Sequence, residues 1–150
     1  MSEPIFVDTS IIMYTVGADH PYRQPCRTAL ARIAEGQIRA VVDCEVHQEI
    51  LHRYLSLRLP EKACQVSQKL EAVIPDTLPI ALDDIGRARE LVGRYPTLPA
   101  RDLLHVAVML NHNITQILST DAHFDQVDEV ERLDPVSFSA ESEATADVPA

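Results

Sequence analysis

Four acidic residues stand at the ends of apolar segments, each in a short phrase: Asp8 in FVDTS, Glu49 in HQEIL, Asp102 in ARDLLHVA and Asp121 in LSTDAHFD. Carboxylates so far apart in sequence have no local reason to meet. If a fold gathers them, each pair repels by roughly 1 kcal/mol at about 4 Å in water, and by more in a cleft. A divalent cation removes that penalty, and hard oxygen donors suit Mg²⁺ or Mn²⁺. An ion held in this way lowers the pKa of a bound water and braces a phosphoryl oxygen. That is a route to phosphodiester hydrolysis without a side-chain nucleophile. Taken singly, each acid also has a plain structural reading as a helix cap or a solvated charge. The chain holds 23 acids, so their number alone decides nothing. Asp43, Asp83 and Asp84 are assigned to capping or surface roles.

The elements that must position these acids are legible in the apolar pattern. Ile5, Phe6 and Val7 form a short apolar run that ends at Asp8 and reads as a buried strand. Thr9 and Ser10 offer an N-cap for a helix through Ile11, Ile12 and Tyr14, closed by Gly17. A helix over about 21–35 follows, with Gly36 as its stop, and then a β-branched strand at 38–42. Val46, Ile50, Tyr54 and Leu57 mark the next helix, which Pro60 ends before a further helix opens. A short strand is predicted at 78–81, with a helix after Asp83 or Asp84. The helix over 100–111 carries Leu103, Val106, Ala107 and Leu110 as its stripe. Strands at 115–119 and 130–133 complete the alternation.

Strands alternating with helices predict an α/β fold with a central, mostly parallel sheet of about five strands between helix layers. Asp8 and Asp121 then follow strands directly, at the sheet edge where such folds gather ligands. Glu49 and Asp102 ride on helices able to lean over that edge. The domain is expected to occupy residues 1–138. The remainder, 139–150, reads SAESEATADVPA and is expected to be a flexible acidic tail.

Composition excludes several classes. A length of 150 residues with 46% apolar content fits one domain with a real core. Three cysteines without a CxxC element predict a reduced, cytoplasmic protein with the thiols as small apolar fillers. The N-terminus has no basic n-region and is not a signal peptide. The apolar run from Val106 to Leu110 is too short for a bilayer, so no membrane association is expected. Only four glycines are present, and no GxGxxG or GxxxxGK[ST] loop, which disfavours nucleotide-cofactor chemistry. The six histidines form no HxxxH or HExxH pair, and His105 is read as a packed, hydrogen-bonded side chain. A net charge of −10 argues against a generally basic nucleic-acid binder. Eight of the 13 basic residues nevertheless lie between Arg23 and Lys69, as a basic face or as solvated helix surfaces.

The phrases are more specific than the count. IFVDTSIIMY, VVDCEVHQEILHRYL, LPARDLLHVAVMLNHNI and ILSTDAHFDQV, in that order and spacing, resemble the PIN-domain ribonucleases. Within those they resemble the VapC-like toxins of toxin–antitoxin pairs, over about residues 4–136. The resemblance implies a three-layer fold and a metal-dependent endoribonuclease. It implies Asp8, Glu49, Asp102 and Asp121 as metal-binding and catalytic acids, with Mg²⁺ or Mn²⁺ as cofactor. It places Ser10 and Ser119 as supports for the first and fourth acids. Asp125, one helical turn past Asp121, is either a peripheral, water-mediated ligand or a solvated charge. Arg23, Arg27, Arg53 and Arg58 are the candidates to hold an RNA backbone. The resemblance further implies a homodimer and a small antitoxin partner. The alternative is the same fold used as a non-catalytic binding module, and a phosphatase or DNA-directed nuclease would share the metal logic. Three features depart from the family pattern: the acidic net charge, His123 before Phe124, and the segment after Ser139.

Overall fold

Ile5, Phe6 and Val7 are all buried and form β1 (Ile5–Val7), the middle strand of a sheet, in a computed structural model that describes residues 3–146. On one side of it lie β2 (Ala40–Asp43) and then β3 (Thr77–Leu78); on the other lie β4 (Gln116–Leu118) and β5 (Glu131–Leu133). The order is β3-β2-β1-β4-β5, and every pairing is parallel. Phe6 sits opposite both Val41 and Ile117. A parallel sheet is covered on both faces, which is why its strands are short apolar runs rather than alternating ones.

Seven α-helices flank the sheet among the described residues: α1 (Thr9–Val16), α2 (Arg23–Ala34), α3 (Cys44–Ser56), α4 (Pro60–Val73), α5 (Leu82–Arg94), α6 (Ala100–Asn111) and α7 (Pro135–Ala146). α5 packs on α6, α3 on α4, and α2 on α7. Phe6, Ile11, Val46, Ile50, Val106, Ile117 and Phe124 are fully enclosed and tie strands to helices. None of the described helices is long and apolar enough to cross a membrane. The chain runs outward from β1 to β3 on one side, then returns to β4 on the other. The reversal falls between β1 and β4, and a crevice opens at their carboxyl ends.

The structure departs from the sequence expectations at three places. Thr9 and Ser10 lie inside α1, and Asp8 holds the cap position without a side-chain capping bond. The strand expected at 78–81 ends at Leu78, because Pro79 has no N–H to continue the ladder. A last helix runs past residue 138. Asp134 Oδ1 accepts the Val136 N–H at 2.9 Å, and Pro135 fits the first helical position, so α7 starts there and runs to Ala146. Ser139 is buried against α2, with its hydroxyl donating to the Pro25 carbonyl at 2.9 Å. The expected tail is thus helical through Ala146, and 147–150 lie outside the described residues.

Cys26 is buried on α2, whereas Cys44 and Cys64 are exposed. Burial, with a smaller contribution from Asp134, pushes the Cys26 thiol up to about 12. Two thiols should therefore react quickly with an aromatic disulfide reagent at neutral pH, and the third only on unfolding. Rapid reaction of all three in the native chain would contradict this packing.

Candidate active site

Asp8 leaves the end of β1 at a helix start, yet its carboxylate does not cap that helix. The Ser119 hydroxyl donates to Asp8 Oδ2 at 2.7 Å, across the gap between β1 and β4. The same Ser119 oxygen accepts the Asp121 N–H at 3.0 Å, and Ser10 Oγ accepts the Thr120 N–H at 3.2 Å. Two serines therefore lace the end of β1 to the loop after β4. Asp8 is almost wholly buried, at 5% exposure.

Glu49 comes from the middle of α3 and Asp102 from the first turn of α6. Asp8, Glu49, Asp102 and Asp121 all line one cleft of about 360 Å³, together with Ser10, His52, Arg53, Ser56 and Arg101. Asp102 is as buried as Asp8, and burial raises its carboxyl above the usual range; the charge of Asp8 adds to this, and a hydrogen bond to His123 opposes it. No lysine or arginine pairs with Asp8 or Asp102 among the described residues.

Two histidines complete the site, and sequence reasoning gave neither a role there. His105 is fully buried beneath the cleft. Its Nδ1 lies 2.8 Å from Asp43 Oδ2 and its Nε2 lies 2.6 Å from Glu49 Oε1. Burial alone would lower the pKa of this ring, but the two carboxylates outweigh it and hold the imidazole well above its usual range. Asp43 thus orients Glu49 through His105. Asp43 does cap α3, accepting the Val46 N–H at 3.0 Å, but it is enclosed rather than on the surface. Asp84 likewise fills a cap-like role, accepting the Ala81 N–H at 2.8 Å. His123 stands on a 3-10 turn (Ala122–Gln126), between Asp102 and Asp121. One signal was available for His105: it lies three residues after Asp102 on α6, on the same helix face.

Other candidates fall elsewhere. Arg132 grips both carboxylate oxygens of Asp125, at 2.9 and 3.2 Å, and donates to the Ser119 carbonyl at 3.1 Å. Asp125 is therefore turned to a guanidinium and not to the cleft, because a bidentate fork satisfies it locally. Of the four arginines, Arg53 alone lines the cleft. Arg27 donates to the Thr15 carbonyl and, with Arg58, lines a neighbouring groove on α4. Arg23 has its Nε buried without a partner.

The matching family model is that of the PIN domain, over residues 5–130. The chain belongs to the PIN domain family. Among curated relatives of this PIN domain is ribonuclease VapC13 of Mycobacterium tuberculosis, 41% identical over 129 residues, covering 86% of this chain and 98% of that protein. Ribonuclease VapC23 of the same species is 38% identical over 117 residues, covering 78% and 92%. The PIN fold is shared with M. tuberculosis VapC20, a Sarcin-Ricin loop cleaving toxin. That match has a TM-score of 0.69 and 19% identity, covering 85% of this chain and 97% of that one. It is shared equally with VapBC2 from Rickettsia felis bound to a promoter DNA fragment, at TM-score 0.69 and 12% identity, covering 87% and 98%.

The donor set of this PIN domain fits a hard divalent cation. Ligand atoms of Asp8 and Asp102 lie within 4.8 Å of one another, as do those of Asp102, Asp121 and His123. Two buried carboxylates this close carry a net negative charge that a cation would relieve.

Proposed function

We propose that this protein is a metal-dependent endoribonuclease that hydrolyses RNA phosphodiester bonds, acting in the cytoplasm as the toxin of a toxin–antitoxin pair. The observation that carries this is the meeting of Asp8, Glu49, Asp102 and Asp121 in one cleft, with Asp8 and Asp102 buried and no lysine or arginine partner among the described residues. The names of the VapC ribonuclease relatives support the same reading. These four acids would hold Mg²⁺ or Mn²⁺. Such an ion, when bound, supplies Lewis acidity and a water of lowered pKa.

The chain itself supplies position. Ser119 fixes the rotamer of Asp8, Ser10 and Ser119 pin the loop bearing Asp121, and His105 holds Glu49. Arg53 and Arg101, at the rim, place two cations where a polyanion must approach a cleft of acids. This gives the acidic chain a local means of holding RNA. Exposed Leu57 and Leu59 line a groove that shares Ser10, Arg53 and Asp121 with the cleft, an apolar surface suited to a small antitoxin. The solved neighbours that are toxin–antitoxin complexes support such a partner. On α5, exposed Leu82, Ile85 and Val92 offer a second apolar surface for a homodimer.

The purified chain should cleave single-stranded RNA with Mn²⁺ or Mg²⁺, stop with excess EDTA, and lose cleavage in Asp121→Asn. Cleavage that persists in EDTA, or in that variant, would sink the assignment. Arg53→Ala, made in an inactive background, should weaken RNA binding and flatten the slope of log affinity against log salt by about one. An unchanged slope would remove Arg53 from the phosphate contacts.

A further inference from the structure

The acid cleft has a nitrogen donor at its edge. His123 Nε2 lies 2.6 Å from Asp102 Oδ2, and Nδ1 lies 2.8 Å from Asp121 Oδ1. One ligand atom from each of these three residues lies within 4.8 Å of the other two. Unlike His105, the ring is not enclosed, since 31% of its side chain is exposed. Its position is nevertheless set by the fold: the next residue, Phe124, is wholly buried and anchors the 3-10 turn. A separate observation also points to a ligand here. Thr9, 6% exposed, lines the cleft beside Asp8, and its hydroxyl has no partner.

We propose that His123 is a metal ligand of this cleft, and that it biases the site towards first-row transition ions over Mg²⁺. This rests on the metal-dependent reading above and adds a donor to it. Imidazole suits transition ions, whereas Mg²⁺ demands oxygen and gives up its waters reluctantly. One ring nitrogen takes the ion while the other keeps its carboxylate, the arrangement that commonly fixes histidine orientation at metal sites. The rival role is a bridge that merely holds Asp102 and Asp121 together. The two roles separate cleanly. Loss of a bridge alters affinity for every divalent ion by a similar factor, and loss of a nitrogen donor alters the ratio between ions.

The test uses the full metal-free chain and titration calorimetry with CoCl₂, MnCl₂ and MgCl₂, on native protein, His123→Ala and His123→Gln. The Gln variant keeps bulk and an oxygen donor. In both variants the Co²⁺:Mg²⁺ affinity ratio should fall by about tenfold, and the Mn²⁺:Mg²⁺ ratio by less, following the order of nitrogen affinity along the series. Electron spin-echo spectroscopy of the Mn²⁺-loaded native chain should show modulation from a coordinated ¹⁴N that His123→Ala loses. Ratios unchanged in both variants, or ¹⁴N modulation that persists in His123→Ala, would overturn the assignment of His123 while leaving the acid site intact. If the native chain binds none of the three ions, the metal-dependent reading fails with it.

Discussion

Asp8→Asn is expected to lower RNA cleavage by at least about a thousandfold, while the metal-free variant melts at the same temperature or higher. The two halves come from different physics. A bound metal supplies several kcal/mol of transition-state stabilisation, and each 1.36 kcal/mol is tenfold in rate. Removing one buried carboxylate from its ligand set puts most of that at risk. The fold, by contrast, gains. Asparagine keeps an oxygen to accept the Ser119 hydroxyl, now 2.7 Å from Asp8 Oδ2. It also relieves Asp102, whose carboxyl is held above its usual range first by burial and then by the Asp8 charge. Relief of roughly 1 kcal/mol would raise the melting temperature by about 2–4 °C in a chain of this size. A residue that only supported the fold would show the opposite pair of results: retained cleavage and a lower melting temperature. That outcome would return Asp8 to a structural role.

The second large effect is on stability. His105→Leu is expected to cost about 3–5 kcal/mol, or roughly 6–20 °C in melting temperature, because it strands a buried carboxylate. Asp43 is fully enclosed and would keep only the Val46 N–H as a partner. Glu49 would lose the 2.6 Å contact that aims it at the cleft, so cleavage should fall as well. The cause can be isolated. Adding Asp43→Asn to His105→Leu removes the stranded charge and still caps α3, so the double variant should regain part of the loss. A loss below 1 kcal/mol for His105→Leu would mean that the Asp43–His105–Glu49 chain contributes little. Chemical denaturation of the metal-free protein reads this directly.

The two effects separate groups that look alike in sequence. Asp8 directly follows β1 and Asp43 ends β2, and each immediately precedes a helix. Asp43 accepts a backbone N–H of its own helix, as a cap does, and turns its other oxygen to a buried imidazole. Asp8 makes no cap, and its carboxylate faces the loop after β4. The difference is one of partners brought from 111 residues away for Asp8 and 62 for Asp43, which no local pattern records.

What the sequence determined by itself was the alternation of strands and helices, the parallel sheet it requires, and the four phrases that carry the acids. These are local matters: a run such as Ile5–Val7 is buried wherever it lies, and Gly36 ends a helix because at φ +78° it tolerates a backbone that other residues resist. Helix α7 has almost no amphipathic stripe, so its residues from Ser139 on read as a tail. It is fixed instead by Asp134 at its start and by the seat of Ser139 on α2. Tertiary structure alone decided which charged groups meet. Asp125 was captured by Arg132, Arg53 was kept at the cleft while Arg27 was drawn to the Thr15 carbonyl, and two histidines were placed among the acids. Periodicity reports which face of an element is buried. The strand order β3-β2-β1-β4-β5 sets what that face meets, so it also sets the electrostatics of the cleft.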